Sequence, residues 1–261
     1  MSDASPEPQL AREKWNRRYT EKGLRPFPDR PAEWLVENRS YLIENRSSLV
    51  GSAGRRALDV ACGDGRNALY LAQLGFDVVA VDVSDVAVTS LRAAAADRGL
   101  DESRPLGDSR KRRAARRGAI DENRPLGDSR KRRAARRGAI DARQVDLEHE
   151  PLPAERFDVI VQLNYLQRDL FGPLARALTV GGILLVETVT RAHVEELGND
   201  FDPRFVLDYN ELLQSFPDLH ILHYREGLAD RSGRPRAVAS LVAERRAPSA
   251  EPRAPRAERR G

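Results

Sequence analysis

Residues 57–72 read ALDVACGDGRNALYLA, and residues 77–83 read DVVAVDV. In the first stretch a short apolar run, ALDVA, gives way to the turn CGDGRN and then to NALYLAQLG, a helical pattern stopped by Gly75. In the second, an apolar run ends on Asp82, and Ser84 stands where it can cap a helix carrying Val86, Val88, Leu91 and an alanine run. Two strand-then-helix units in succession predict a parallel sheet. Gly63 and Gly65 let the backbone turn tightly and approach a ligand, and the first amides of the helix after Arg66 present the positive end of its dipole. Asp82 comes 17 residues after Gly65, at a strand end from which a carboxylate can accept two hydrogen bonds from a ribose diol. A glycine turn paired with an acidic strand end points to a nucleoside-containing cofactor.

Outward from this pair the pattern continues. FDVIVQL (157–163) and GGILLVETV (181–189) are near-continuous apolar runs, as expected of strands buried on both faces, with 170–179 as the helix between them. A helix at 208–216 precedes two alternating strands, DLHILHYREG and RAVASLVAERR, joined by the turn-rich GLADRSGRP, which predicts an antiparallel pair at the sheet edge. The reading is therefore an α/β fold, a Rossmann-like parallel sheet with an antiparallel C-terminal strand pair in a three-layer αβα arrangement. Residues 1–50 form an N-terminal helical cover: 1–10 read as disordered, and 11–50 as one or two helices offering Trp34, Leu35, Tyr41, Leu42 and Leu49 to the core. The main domain spans 51–245, and 246–261 reads as a disordered tail.

Residues 101–141 interrupt this order. RPLGDSRKRRAARRGAID occurs twice, at 104–121 and 124–141, with few large apolar residues, so it cannot build a solenoid and reads as a tandem duplication extruded between a helix ending near Leu100 and a strand starting near Ala142. Lengthening a connection about tenfold costs only on the order of 2 kcal/mol in closure entropy. The two copies carry +10 and the tail 245–261 carries +4, which leaves −10 for the rest of a chain whose formal charge is +4. Basicity of the whole chain therefore describes these segments and not the body. A single cysteine, Cys62, excludes an internal disulfide and a cysteine-cluster zinc site, and four scattered histidines argue against any metal site. No run approaches the roughly 18 to 20 apolar residues of a membrane span, and MSDASPEPQL lacks the marks of a secretory signal, so a cytoplasmic location is expected.

Taken alone, GDGRNA also fits a nicotinamide fingerprint. With Asp59 four residues before Gly63, however, LDVACGDGRN and VVAVDVS resemble the first two motifs of class I S-adenosylmethionine-dependent methyltransferases, and the resemblance extends through QVDLEHEPLP and FDVIVQLNYLQRDLF to the terminal strands. Within that superfamily WNRRYTEKGLRP, GRNALYLA and HYREG…GRPRAVASLVAERR are similar to the tellurite-resistance and thiopurine methyltransferase branch. The resemblance implies S-adenosylmethionine as cofactor. It implies further that Asp59, Ala61, Gly63 and Gly65 surround its methionine part, with Arg66 or Asn67 near the carboxylate. Asp82 and Val83 would hold ribose, Asp146 and Leu147 would meet adenine, Asn164 with Tyr165 would line the mouth, and Tyr19, one helical turn after Trp15, would close over the cofactor.

Each of these has a plainer reading. Asp146 can cap a turn before EPLP, Asn164 can cap a helix, Tyr165 can be a core aromatic, and Cys62 in the turn has no evident base. His149 and His193 are acceptor-side candidates, and no catalytic general base is singled out; a sulfur, selenium or tellurium nucleophile does not need one. The expected activity is methyl transfer to a small-molecule acceptor, such as a thiol or a selenium or tellurium oxyanion. Rival readings are a nucleic-acid methyltransferase using the basic 101–141 segment, although that segment has no interleaved aromatics for base stacking, a nicotinamide-dependent oxidoreductase, and a cofactor-binding protein without turnover.

Overall fold

A computed structural model describes residues 6–21, 30–44, 55–101, 138–231 and 233–247. The expected tail from 248 onward, Leu49 and most of the duplicated segment lie outside these residues. Seven strands form one sheet in the order β3-β2-β1-β4-β5-β7-β6. The strands are β1 (Arg56–Val60), β2 (Asp77–Asp82), β3 (Ile140–Gln144), β4 (Phe157–Leu163), β5 (Leu178–Val189), β6 (His220–Asp230) and β7 (Pro235–Glu244). β1 to β5 are parallel, while β7 runs antiparallel to β5 and to β6. This is the predicted mixed sheet, with the reversed pair at one edge.

Helices cover both faces. On one lie α2 (Glu33–Glu37), α3 (Arg39–Glu44), α4 (Arg66–Gln73) and α5 (Asp85–Asp97), which bury Trp34, Leu42, Leu71 and Leu91 against Val78, Ala80 and Val161. On the other, α6 (Phe171–Ala177) and α8 (Glu211–Gln214) bury Phe171, Leu174 and Leu212 against Ile160, Leu184 and Leu241. A short α7 (Ala192–Glu195) packs beside the start of β7. α1 (Pro6–Glu21) lies along α5, where Asp85 accepts from Arg12 Nε at 2.9 Å and Asn16 Nδ2 at 2.6 Å, and Ser84 Oγ donates to Asn16 at 2.7 Å. Ser84 is also the cap read from the sequence: its hydroxyl accepts from the Ala87 amide at 3.2 Å.

Several boundaries differ from expectation. α1 starts at Pro6, inside the span read as disordered, and proline suits a first helical turn because its missing N–H has no partner there anyway. β3 starts at Ile140, before the expected Ala142 and inside the second repeat copy, because Val78 donates to Ala139 O at 2.7 Å and Ile140 donates to Leu100 O at 2.6 Å. The last residues of the duplication thus belong to the sheet. The helices expected at 170–179 and 208–216 shrink to Phe171–Ala177 and Glu211–Gln214, since β5 already begins at Leu178 and Pro217 follows the second. β6 continues through much of the stretch read as a turn, to Asp230. No helix among the described residues is long and apolar enough to cross a membrane.

Candidate active site

The carboxyl ends of the parallel strands open into one cleft, the place where doubly wound sheets bind ligands. Its floor is the turn between β1 and α4. Ala61 (φ 52°), Gly63 (φ 56°) and Gly65 (φ 81°) all sit in the left-handed region, so the chain reverses within five residues. That conformation costs an alanine roughly 1–2 kcal/mol, an outlay typical of functional turns. A Cβ at Gly63 would come within 2.7 Å of the Tyr19 hydroxyl, so α1 closes down directly on the turn. Ala11, Trp15 and Tyr19 of α1 form the roof.

Asp82 ends β2 beside this floor. One carboxylate oxygen accepts from the Gly63 amide at 2.8 Å and the other from the Ser84 amide at 2.9 Å, which fixes the group at the rim while burial pushes its pKa up. Asn67 lines the floor; its Oδ1 accepts from the Ala32 amide at 2.9 Å, which leaves the amide NH2 as its donor. Asp59 and Gly65 stand behind the cleft wall and do not line it. The Asp59 carboxyl is buried with Oδ2 unpartnered, and burial pushes its pKa up to about 7 against the opposing pull of the Ala68 amide and the Arg66 charge. Cys62 also lines the floor, but burial and the surrounding carboxylates drive its thiol pKa up, so it stays protonated.

Two further walls follow β3 and β4. Val145, Asp146, Leu147 and Glu148 form one. Asp146 does cap its own turn, accepting from the Glu148 amide at 3.1 Å and pairing with His149 Nδ1 at 3.0 Å, and it faces the cleft as well. Leu163, Asn164 and Tyr165 form the other. Asn164 has φ 61°, and Arg236 at the start of β7 donates to its Oδ1 at 2.5 Å. The Tyr165 hydroxyl donates to Gln167 Oε1 at 2.6 Å, and burial followed by the charges of Glu148, Asp146 and Asp82 pushes its pKa up. His193 is buried in α7 with Nδ1 accepting from the Ala237 amide at 3.3 Å; burial and Arg236 push its pKa down.

The structure thus gathers Tyr19, Ala61, Gly63, Asn67, Asp82, Val83, Asp146, Leu147 and Asn164 around one cavity. Ala11, Val145, Glu148 and Leu163 also line it and were not anticipated. Val145 and Leu163 are ordinary strand-end aliphatics with no local signal, and Arg236 became visible as a neighbour of the mouth only once β7 was placed against β5. Among the described residues no group of three or more metal-ligating side chains is present.

The model of the methyltransferase domain family matches residues 34–229, most of the chain. Solved structures share the fold at low identity. TehB from Haemophilus influenzae superposes with a TM-score of 0.57 at 18% identity, covering 89% of this chain and 67% of that one. The cyclase SpnF gives 0.56 at 19%, covering 93% and 98%, and magnesium protoporphyrin IX methyltransferase from Synechocystis PCC 6803 gives 0.53 at 13%, covering 91% and 99%. No curated protein sequence matches significantly. The fold and cleft define an enzyme of the class I methyltransferase type. This chain belongs to the methyltransferase domain family, and its methyl donor is S-adenosylmethionine. The nicotinamide reading of the glycine turn is set aside by that membership.

Proposed function

We propose that the enzyme methylates a small molecule presenting an already ionised nucleophile, a thiolate or a selenium or tellurium oxyanion. The observation that carries this is the Arg236–Asn164 pair, which puts a fixed cation beside the β4 end of the cleft. S-adenosylmethionine, when bound, supplies a methyl group on a positively charged sulfur. A guanidinium at the rim of the cleft favours an anionic acceptor over a neutral or cationic one. The neighbouring side chains support a base-free reaction: the Tyr165 proton is committed to Gln167, Cys62 is protonated, and neutral His193 accepts at Nδ1 and so carries its proton on Nε2.

The residues fit the donor. Asp82 and Val83 would hold the ribose, Leu147 and Asp146 the adenine side, and Asn67 with the turn at Ala61 and Gly63 the methionine part. Asp59, with its orphaned buried oxygen behind the turn, supplies the counter-charge a cationic ligand needs. α1 excludes water by placing Trp15 and Tyr19 over the cleft. Methyl transfer then depends on alignment: Asn164, strained and pinned by Arg236, orients the acceptor.

A screen of thiols, selenite, tellurite and duplex and single-stranded nucleic acids, read by S-adenosylhomocysteine release, tests this reading. Turnover of a small anionic acceptor whose KM rises about tenfold in Arg236→Met supports it. Turnover on nucleic acid alone, or indifference to Arg236→Met, contradicts it.

A further inference from the structure

The walls after β3 and β4 come from strands that are not neighbours, since β2 and β1 lie between them in the sheet. No backbone ladder therefore joins them directly, yet both must fit one ligand. A side-chain chain does. Gln162, fully buried in β4, donates from Nε2 to the Tyr165 carbonyl at 3.2 Å. The Tyr165 hydroxyl donates to Gln167 Oε1 at 2.6 Å, and Gln167 Nε2 donates to the Leu147 carbonyl at 2.7 Å.

The direction of this chain is forced. A backbone carbonyl only accepts, so the Gln167 NH2 must face Leu147, which leaves Oε1 for Tyr165, and the phenol must then donate. Gln167 itself does not line the cleft, whereas both residues it holds, Tyr165 and Leu147, do. The half-buried primary amide of Gln167 carries a donor and an acceptor at fixed spacing, which lets it join the Tyr165 hydroxyl to the Leu147 carbonyl.

We propose that Gln167 is a positioning residue that couples the adenine-side wall at Leu147 to the acceptor-side wall at Tyr165, so that ligand binding at one sets the geometry of the other. This rests on the reading of the cleft given above. Its consequence is that Gln167, though outside the cleft, governs affinity for the donor and, through Tyr165, the placement of the acceptor.

A double-mutant cycle tests it. Tyr165→Phe, Gln167→Leu, the double variant and Gln167→Glu are titrated with S-adenosylmethionine by calorimetry, with thermal melts alongside. One net hydrogen bond corresponds to roughly three- to tenfold in affinity, so Gln167→Leu is expected to weaken binding by about that much. The double variant should be no weaker than Gln167→Leu, because the coupling passes through one residue. Gln167→Glu keeps the volume and the acceptor for Tyr165 but turns an acceptor on the Leu147 carbonyl, so it should bind at least as weakly as Gln167→Leu. A role in packing alone would be rescued by Glu and would lower the melting temperature without changing affinity. Binding by Gln167→Leu or Gln167→Glu within about twofold of the parent, or strictly additive effects of the two single changes, overturns the proposal while the methyltransferase reading stands. Failure of the parent protein itself to bind S-adenosylmethionine overturns both.

Discussion

Asp59 illustrates what a single residue contributes. Its carboxyl is buried, one oxygen has no partner, and its pKa is pushed up to about 7 by burial. A folded-state pKa above the ordinary carboxylate value means that the fold favours the protonated form, so this stabilisation is present in acid and is lost as pH rises through about 7. A cationic ligand reverses the preference by rewarding the ionised form. Affinity for S-adenosylmethionine should therefore rise between pH 6 and 8, roughly a unit either side of that pKa, with proton release on binding, and Asp59→Asn should flatten the profile. Calorimetry in buffers of different ionisation enthalpy reads the proton count, and equal slopes in both proteins would contradict the assignment. Gly65 works through shape. An added Cβ would lie 2.1 Å from Leu91 Cδ1, and Leu91 is fully buried, so Gly65→Ala must displace the Leu91 side chain as well as adopt a left-handed alanine. The left-handed conformation alone costs roughly 1–2 kcal/mol, so a drop of several degrees in Tm is expected by thermal melt. Both residues stood out in the sequence because acids and glycines are chemically conspicuous. Leu163 and Val145 did not, because an aliphatic facing a cleft is indistinguishable in sequence from one facing a core.

At the scale of elements, α1 is held to α5 by polar contacts at the rim, through Arg12, Asn16, Ser84 and Asp85. The Arg12 and Asn16 side chains hold the Asp85 carboxyl down at about pKa 2, so the latch keeps its charge throughout the neutral range. Exposed pairs of this kind contribute little to global stability. Asp85→Ala is therefore expected to leave Tm nearly unchanged while increasing hydrogen exchange in α1 and accelerating cofactor dissociation by a few-fold, on the order of one weak interaction. Stopped-flow displacement reads the rate, and an unchanged rate would mean that α1 does not gate the cleft. α2 differs, because Trp34 is fully buried and its Nε1 donates to the Leu241 carbonyl at 3.4 Å. Trp34→Ala should cost about 3–5 kcal/mol, read as a large shift in denaturant midpoint. The β1-α4-β2-α5 order was legible because each element carries its own period and stop signal. The start of β3 was not: it falls inside a repeated stretch with few large apolar residues, and it rests on pairing with Val78 and Leu100, far away in sequence.

For the whole molecule, the duplicated segment follows Asp101, which bridges to Ile140, and runs into the first residues of β3. Excision of residues 102–121 rejoins Asp101 to Glu122, restoring the same Asp-Glu junction and leaving Gly138 to Gln144 intact. Shortening the connection by about half changes its closure entropy by only about 0.6 kcal/mol, so the excised protein should melt within a few degrees of the parent and bind the donor equally well. Any nucleic-acid binding with a steep salt dependence that disappears on excision would instead assign the repeat a binding role. The parallel sheet and the reversed strand pair followed from strand-helix succession, alternation and turn chemistry, whereas the strand order and the contribution of β7 to the mouth, through Arg236, depend on strand pairing across the sheet and had no local signal. The turn at Gly63 and the carboxylate of Asp82 are the proposed cradle for S-adenosylmethionine. Calorimetric titration of the parent protein and of Asp82→Asn, which keeps the volume and one acceptor, tests it most directly, with a nicotinamide dinucleotide as comparison. Binding of S-adenosylmethionine alone, weakened about tenfold or more by the substitution, is the predicted result. No binding, or binding indifferent to Asp82, would contradict it.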